Sequence, residues 1–106
     1  MIEKQILQGL IQDEEYVRQV LPFLKQDYFT QLEHGLIYNV INEYFDKYNA
    51  LPKVSALEVD IQQRTGVDEK TIASALELVQ SFETIAVDQW LVDQTESFCQ
   101  DKAIYN

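Results

Sequence analysis

Apolar positions recur along this chain with the period of about 3.6 residues that marks amphipathic helices, and six helical segments follow from them. The first runs from Ile2 to Ile11, with Ile2, Ile6, Leu7, Leu10 and Ile11 on one face. Asp13 reads as the N-cap of the second, with Glu14 and Glu15 in its first turn, where they complement the helix dipole. Pro22 ends that helix near Leu21. The connector PFLKQDYF is rich in aromatics and is expected to pack on the core.

The third segment, Gln31 to Tyr48, carries the broadest apolar face: Leu32, Leu36, Ile37, Val40, Ile41, Tyr44, Phe45 and Tyr48. It is read as the central helix, opened by the capping box Thr30-Gln31-Leu32-Glu33. Ser55-Ala56-Leu57-Glu58 is a second capping box, flanked by Val54 and Val59 as a hydrophobic staple, and this fourth helix ends at Thr65-Gly66. Asp68 caps a fifth, to about Phe82, whose face carries Ile72, Ala75, Leu76, Val79 and Phe82. Asp88 caps the sixth, in which Val87, Leu91, Gln94, Phe98 and Tyr105 form an approximate heptad face with Trp90 to its side. Two long helices with a short connection tend to lie antiparallel. The expected fold is therefore an all-α compact bundle of about six helices ending in a helical hairpin, with residues 1–66 a helical globule and 67–106 the hairpin. The last helix has a start signal and no stop signal.

Composition agrees. The 106 residues suit one domain, and 46% hydrophobic residues with only 3 Gly and 2 Pro favour a helical globule over a turn-rich β fold. The net charge of −10 opposes phosphate binding, and the eight bases are scattered, so little or no direct nucleic-acid binding is expected. Between Lys70 and Lys102 lie Glu77, Glu83, Asp88, Asp93, Glu96 and Asp101 with no base. A solvated acidic face is favoured there over a docking surface for a basic partner. The single Cys99 rules out an internal disulfide and suits a reducing cytoplasm. No apolar run approaches the roughly 20 residues of a membrane span, and the start MIEKQIL lacks the regions of a signal peptide.

Chemistry is sparse. Neither GxxxxGK[ST] nor GxGxxG occurs, so no phosphate cradle is expected in this segment. One His and one Cys cannot build a zinc site, and the helical pairs Glu43/Asp46 and Asp93/Glu96 are of the kind surface helices produce routinely. Cys99 reads as a small half-buried hydrophobe and His34 as a packing or hydrogen-bonding residue. Tyr28, Phe29, Tyr38, Tyr44, Phe45 and Tyr48 read as core aromatics, because stacking platforms come with basic grooves. No catalytic, metal or cofactor residue is singled out. What remains is an association surface on the last two helices, with Ile72, Leu76, Val79, Trp90, Leu91, Gln94, Phe98 and Tyr105 as its candidates.

The order of these signals resembles the N-terminal domain of DnaB-type replicative helicases, in particular the T4-like bacteriophage branch. EKQILQGLIQDEEYVRQVLPFLKQDYF matches the family's opening at Gly9, Asp13, Tyr28 and Phe29. HGLIYNVINEYFDKYNALPKVSALEV matches its next helix, Pro and short capped helix at His34, Ile37, Tyr38, Ile41, Tyr44, Pro52 and Leu57. The ending WLVDQTESFCQDKAIYN is similar to the phage branch's last helix before a linker. Ala50-Leu51-Pro52-Lys53-Val54 departs from the bacterial Gly-x-Pro-Ile-Asp turn, which favours the phage branch. The matching residues pack and cap; none is catalytic.

The resemblance implies a helical collar domain of a ring-shaped hexamer, self-associating as dimer or hexamer through paired hairpins and contacting primase or a helicase-loading protein in DNA replication. It implies no catalysis by this segment. The parent protein would be an ATP-dependent DNA helicase of the infected bacterium's cytoplasm, with ATP and Mg bound only in a motor domain beyond residue 106. The missing stop signal then marks the passage into a linker. The alternative is a complete small phage protein that binds and regulates a host replication protein, and a small enzyme would require a pocket with perturbed carboxylates near His34 or Cys99.

Overall fold

The computed structural model describes residues 2–105, the side chain of Tyr105 excepted. The order is α1 (Ile2–Leu10), α2 (Glu14–Val20), single 3₁₀ turns at Leu21–Phe23 and Gln26–Tyr28, α3 (Leu32–Tyr48), α4 (Val54–Gln62), α5 (Glu69–Gln80) and α6 (Gln89–Tyr105). An all-α bundle of six helices is what the periodicity predicts.

The local signals act at the ends of these helices. The Asp13 carboxylate accepts from the Tyr16 amide at 2.9 Å, Asp68 from Thr71 and Asp88 from Leu91, both at 3.2 Å. Each satisfies a helix-start amide that has no partner within its helix. α3 stops where Asn49 takes the left-handed conformation, φ 51°, and donates its amide to Phe45 at 2.7 Å. Neither expected capping box forms. The cap of α3 is Gln31, one residue later than expected and without a side-chain bond, and the Thr30 hydroxyl donates to Glu3. α4 starts earlier than expected, at Val54, which leaves Ser55 inside the helix.

One core joins all six helices. α1 lies against α2, α3 and α6, and α3 against α1, α4 and α5. α1 therefore shares the central position expected of α3 alone, and buries Ile6, Leu7, Gln8, Gly9 and Leu10 almost all the way round. Full burial of such an aliphatic side chain stabilises by about 1.5–3 kcal/mol. From α3 the core takes Leu36, Ile37, Val40 and Ile41, whereas Leu32 and Tyr48 at its two ends point to solvent. In the aromatic connector Leu24, Tyr28 and Phe29 are buried and Phe23 is exposed.

The expected terminal hairpin does not form. α5 packs on α3 and α4, and α6 on α1, α2 and the second 3₁₀ turn. Ala75 and Val79 of α5 and Leu91 and Phe98 of α6 enter the same core as the first four helices, so residues 67–106 are not a separate hairpin unit. The cause lies in the connection. Glu83 donates its amide to Gln8 Oε1 at 2.9 Å, Gln12 Nε2 donates to the Glu83 carbonyl at 2.7 Å, and the Ile85 amide donates to Gln12 Oε1 at 2.9 Å. Gln8 of α1 and Gln12 just past its end thus satisfy the connector backbone and tie it to α1.

Candidate interaction surface

α6 is built with two faces. Its inner stripe is Leu91, Thr95 and Phe98, all buried. Leu91, 1% exposed, packs where Gly9 lets α1 approach: a Cβ on Gly9 would stand 3.1 Å from Leu91 Cδ2 and 2.8 Å from Tyr16 Cε2. The Thr95 hydroxyl donates to the Leu91 carbonyl at 2.7 Å and so accepts from the Tyr16 hydroxyl at 2.6 Å. Burial raises the Tyr16 phenol well above its ordinary range, which keeps it protonated as the donor. Phe98 sits 5.6 Å from the Phe29 ring, which stacks on Tyr38 at 5.4 Å, and the Tyr38 hydroxyl donates to the Leu24 carbonyl at 2.9 Å.

The outer stripe repeats at helical spacing through Trp90, Gln94, Ser97, Asp101 and Ile104, all exposed. Trp90 is 58% and Ile104 76% exposed, so the stripe is apolar at both ends and polar between them.

These faces sort the expected association residues. Val79, Leu91 and Phe98 are buried within this chain's own core. Ile72 and Leu76 are half-buried and packed against the core. Trp90 and Gln94 are open to solvent. The Tyr105 side chain lies outside the described residues. The heptad reading found a real apolar face, but periodicity alone does not tell burial within the chain from burial between chains.

Three polar residues whose role the periodicity does not show build the one buried charged cluster among the described residues. The Glu3 carboxylate, on α1, accepts from His34 Nδ1 at 2.7 Å, from the Thr30 amide at 3.2 Å and from the Thr30 hydroxyl at 2.9 Å. Burial pushes the carboxyl up, but the bonds from His34 and Thr30 outweigh it and hold Glu3 below its ordinary value. The carboxylate has its partners within the fold, which makes it a clasp between α1 and the start of α3. Cys99 is half-buried, and burial pushes its thiol up to about 11, away from nucleophilic use. Among the described residues no three or more His, Cys, Asp or Glu come together as a metal site, and no helix is long and apolar enough to cross a membrane.

The family model of the DnaB-like helicase N terminal domain matches residues 1–105. The DnaB-like replicative helicase of Enterobacteria phage T4 is 26% identical over 102 residues, covering 95% of this chain and 21% of that protein. The chain therefore spans about a fifth of the length of that curated relative. No solved structure matches. Of the residues that carried the resemblance, Gly9, Tyr28, Phe29, His34, Ile37, Tyr38, Ile41, Pro52 and Leu57 are buried, Asp13 is a cap, and Tyr44 is half-buried. The chain belongs to the DnaB-like helicase N-terminal domain family.

Proposed function

We propose that this chain is an assembly and docking domain in phage DNA replication, acting by protein–protein association. In this reading it forms part of the collar of a ring-shaped helicase, self-associates within that ring, and offers a contact to primase or to a helicase-loading protein. ATP and Mg belong to a motor outside this segment. The observation that carries the reading is the division of α6: an inner stripe locked into the core, and an outer stripe with Trp90 left exposed beside Gln94. Interfaces are enriched in Trp at their anchors. The net charge of −10 supports a partner that is protein and not nucleic acid.

Light scattering over a concentration series tests this reading. The chain is expected to gain mass with concentration, and Trp90→Asp to shift that gain to about tenfold higher concentration, as for loss of an interface anchor. A monomer at all concentrations that also fails to bind the primase of the same replication system would overturn it.

A further inference from the structure

A second surface lies on the side of α6 away from Trp90. Val92, Glu96 and Cys99 share one stripe of α6, and they face Gln19 and Val20 of α2 and Phe23 of the 3₁₀ turn across an open groove of about 390 Å³. The floor is apolar. Phe23, 69% exposed, stands at its edge, although Leu24, Tyr28 and Phe29 of the same connector turn into the core. Glu96 is the charged residue of the lining. Outside the lining, Asp88 stands one helical turn before Val92 and Glu15 one turn before Gln19, and both are exposed. The nearest base on α2, Arg18, is directed elsewhere: it lies 5.3 Å from the Phe45 ring and bonds Asn49 Oδ1 at 3.2 Å on the α3 side. Lys102 of α6 lies over Phe98, on the inner stripe.

We infer that this groove docks a cationic amphipathic helix of a partner protein, with one or two aliphatic side chains on the Val20–Phe23–Val92–Cys99 floor and Lys or Arg against Glu96 and the flanking acids. The walls are themselves helices, and a groove between two helices accepts a third by the interlocking of side-chain ridges. The helix-in-groove mode needs an apolar floor for anchors spaced three and four residues apart, which this groove has. The acidic rim sets the sign of the partner: a cationic helix is steered in, and an anionic one is repelled. The inference goes beyond the assembly role and does not rest on it, since the Trp90 face and this groove are separate surfaces of α6.

Cys99, the single cysteine of the chain, lies in the groove and reports its occupancy. The probe is a synthetic amphipathic helix of leucine and lysine, compared with its leucine–glutamate counterpart, and the readout is the slow alkylation of Cys99 in the 106-residue chain, followed at mildly alkaline pH, where part of its raised thiol ionises. The leucine–lysine helix is expected to slow alkylation about tenfold at saturation, and the glutamate version to leave it unchanged. Glu96→Lys, at an exposed position, is expected to weaken that protection about tenfold and to admit the glutamate helix. Phe23→Ala is expected to weaken it similarly with no change in melting temperature. No protection by the lysine helix, equal protection by both helices, or protection unaffected by Glu96→Lys would each overturn the inference. So would slowing of alkylation by higher concentrations of the chain alone, because a second copy would then be the occupant.

Discussion

Tyr16 and Thr95, 79 positions apart, hold their hydroxyl oxygens 2.6 Å apart inside the core. The bond fastens α6 to α2, and it continues through Thr95 to the Leu91 carbonyl. Thr95→Val keeps the shape of the side chain but leaves the Tyr16 hydroxyl buried without an acceptor. The expected loss is about 1–3 kcal/mol of unfolding free energy. Tyr16→Phe leaves Thr95 its bond to Leu91, and about 1 kcal/mol is expected for the one bond lost. Urea denaturation of the two single variants and the double variant checks both figures, and the double variant should be less destabilised than the sum.

Gly9 is where α1 passes the Tyr16 ring. A methyl group there would meet Tyr16 Cε2 at 2.8 Å, and the ring cannot yield freely because its hydroxyl is held by Thr95. Helix propensity favours Gly9→Ala by about 1 kcal/mol, but overpacking of this kind costs about 1–3 kcal/mol. A net destabilisation is expected, readable as a lowered urea midpoint with an unchanged denaturant slope. A rise in stability would show that α1 and α2 stand further apart.

The Glu3 clasp makes stability depend on acid pH. The folded carboxyl lies below its ordinary value of 4.5, so the unfolded chain takes up a proton first as pH falls. Its contribution is fully present above the ordinary carboxylate value and is lost as pH drops through the lower folded value. Unfolding midpoints are therefore expected to fall below about pH 5. Glu3→Gln should be less stable at neutral pH and show a shallower acid dependence. Denaturation at a series of pH values, comparing the two proteins, is the check.

The glutamine bonds to the α5–α6 connection separate by residue. The Ile85 amide depends on Gln12 and the Glu83 amide on Gln8. Gln12→Ala is expected to speed hydrogen exchange at Ile85 about fivefold, as loss of about 1 kcal/mol implies. Exchange at Leu91, inside α6, should not change. Equal acceleration at all three amides would mean that the connection and α6 open together.

Much of this fold is legible in the sequence, for reasons that differ by element. Asp13, Asp68 and Asp88 act on amides three residues away, so their caps can be read locally. Thr30 has the same local pattern, but its hydroxyl is engaged by Glu3, 27 positions away. The hairpin expectation rests on the shortness of the connection between α5 and α6. The glutamines that tie it to α1 lie more than 70 positions earlier. Which face of α6 is buried was legible only in part. Trp90 is exposed as a partner-facing residue must be, whereas Leu91 and Phe98, one helical face away, belong to the core. The α2–α6 groove is hidden from a linear reading because its floor is assembled from two distant segments.

α6 holds the fold with one face, and in the proposed function it offers the other to a partner. Trp90→Asp and Leu91→Asp, at adjacent positions, separate the two roles when melting and light scattering are measured on the same samples. Trp90→Asp is expected to change stability by no more than about 0.5 kcal/mol while shifting self-association to higher concentration. Leu91→Asp buries an unpaired charge and is expected to cost more than about 4 kcal/mol, unfolding the chain. A folded Leu91→Asp protein that no longer associates, beside a Trp90→Asp protein that associates as before, would contradict the account.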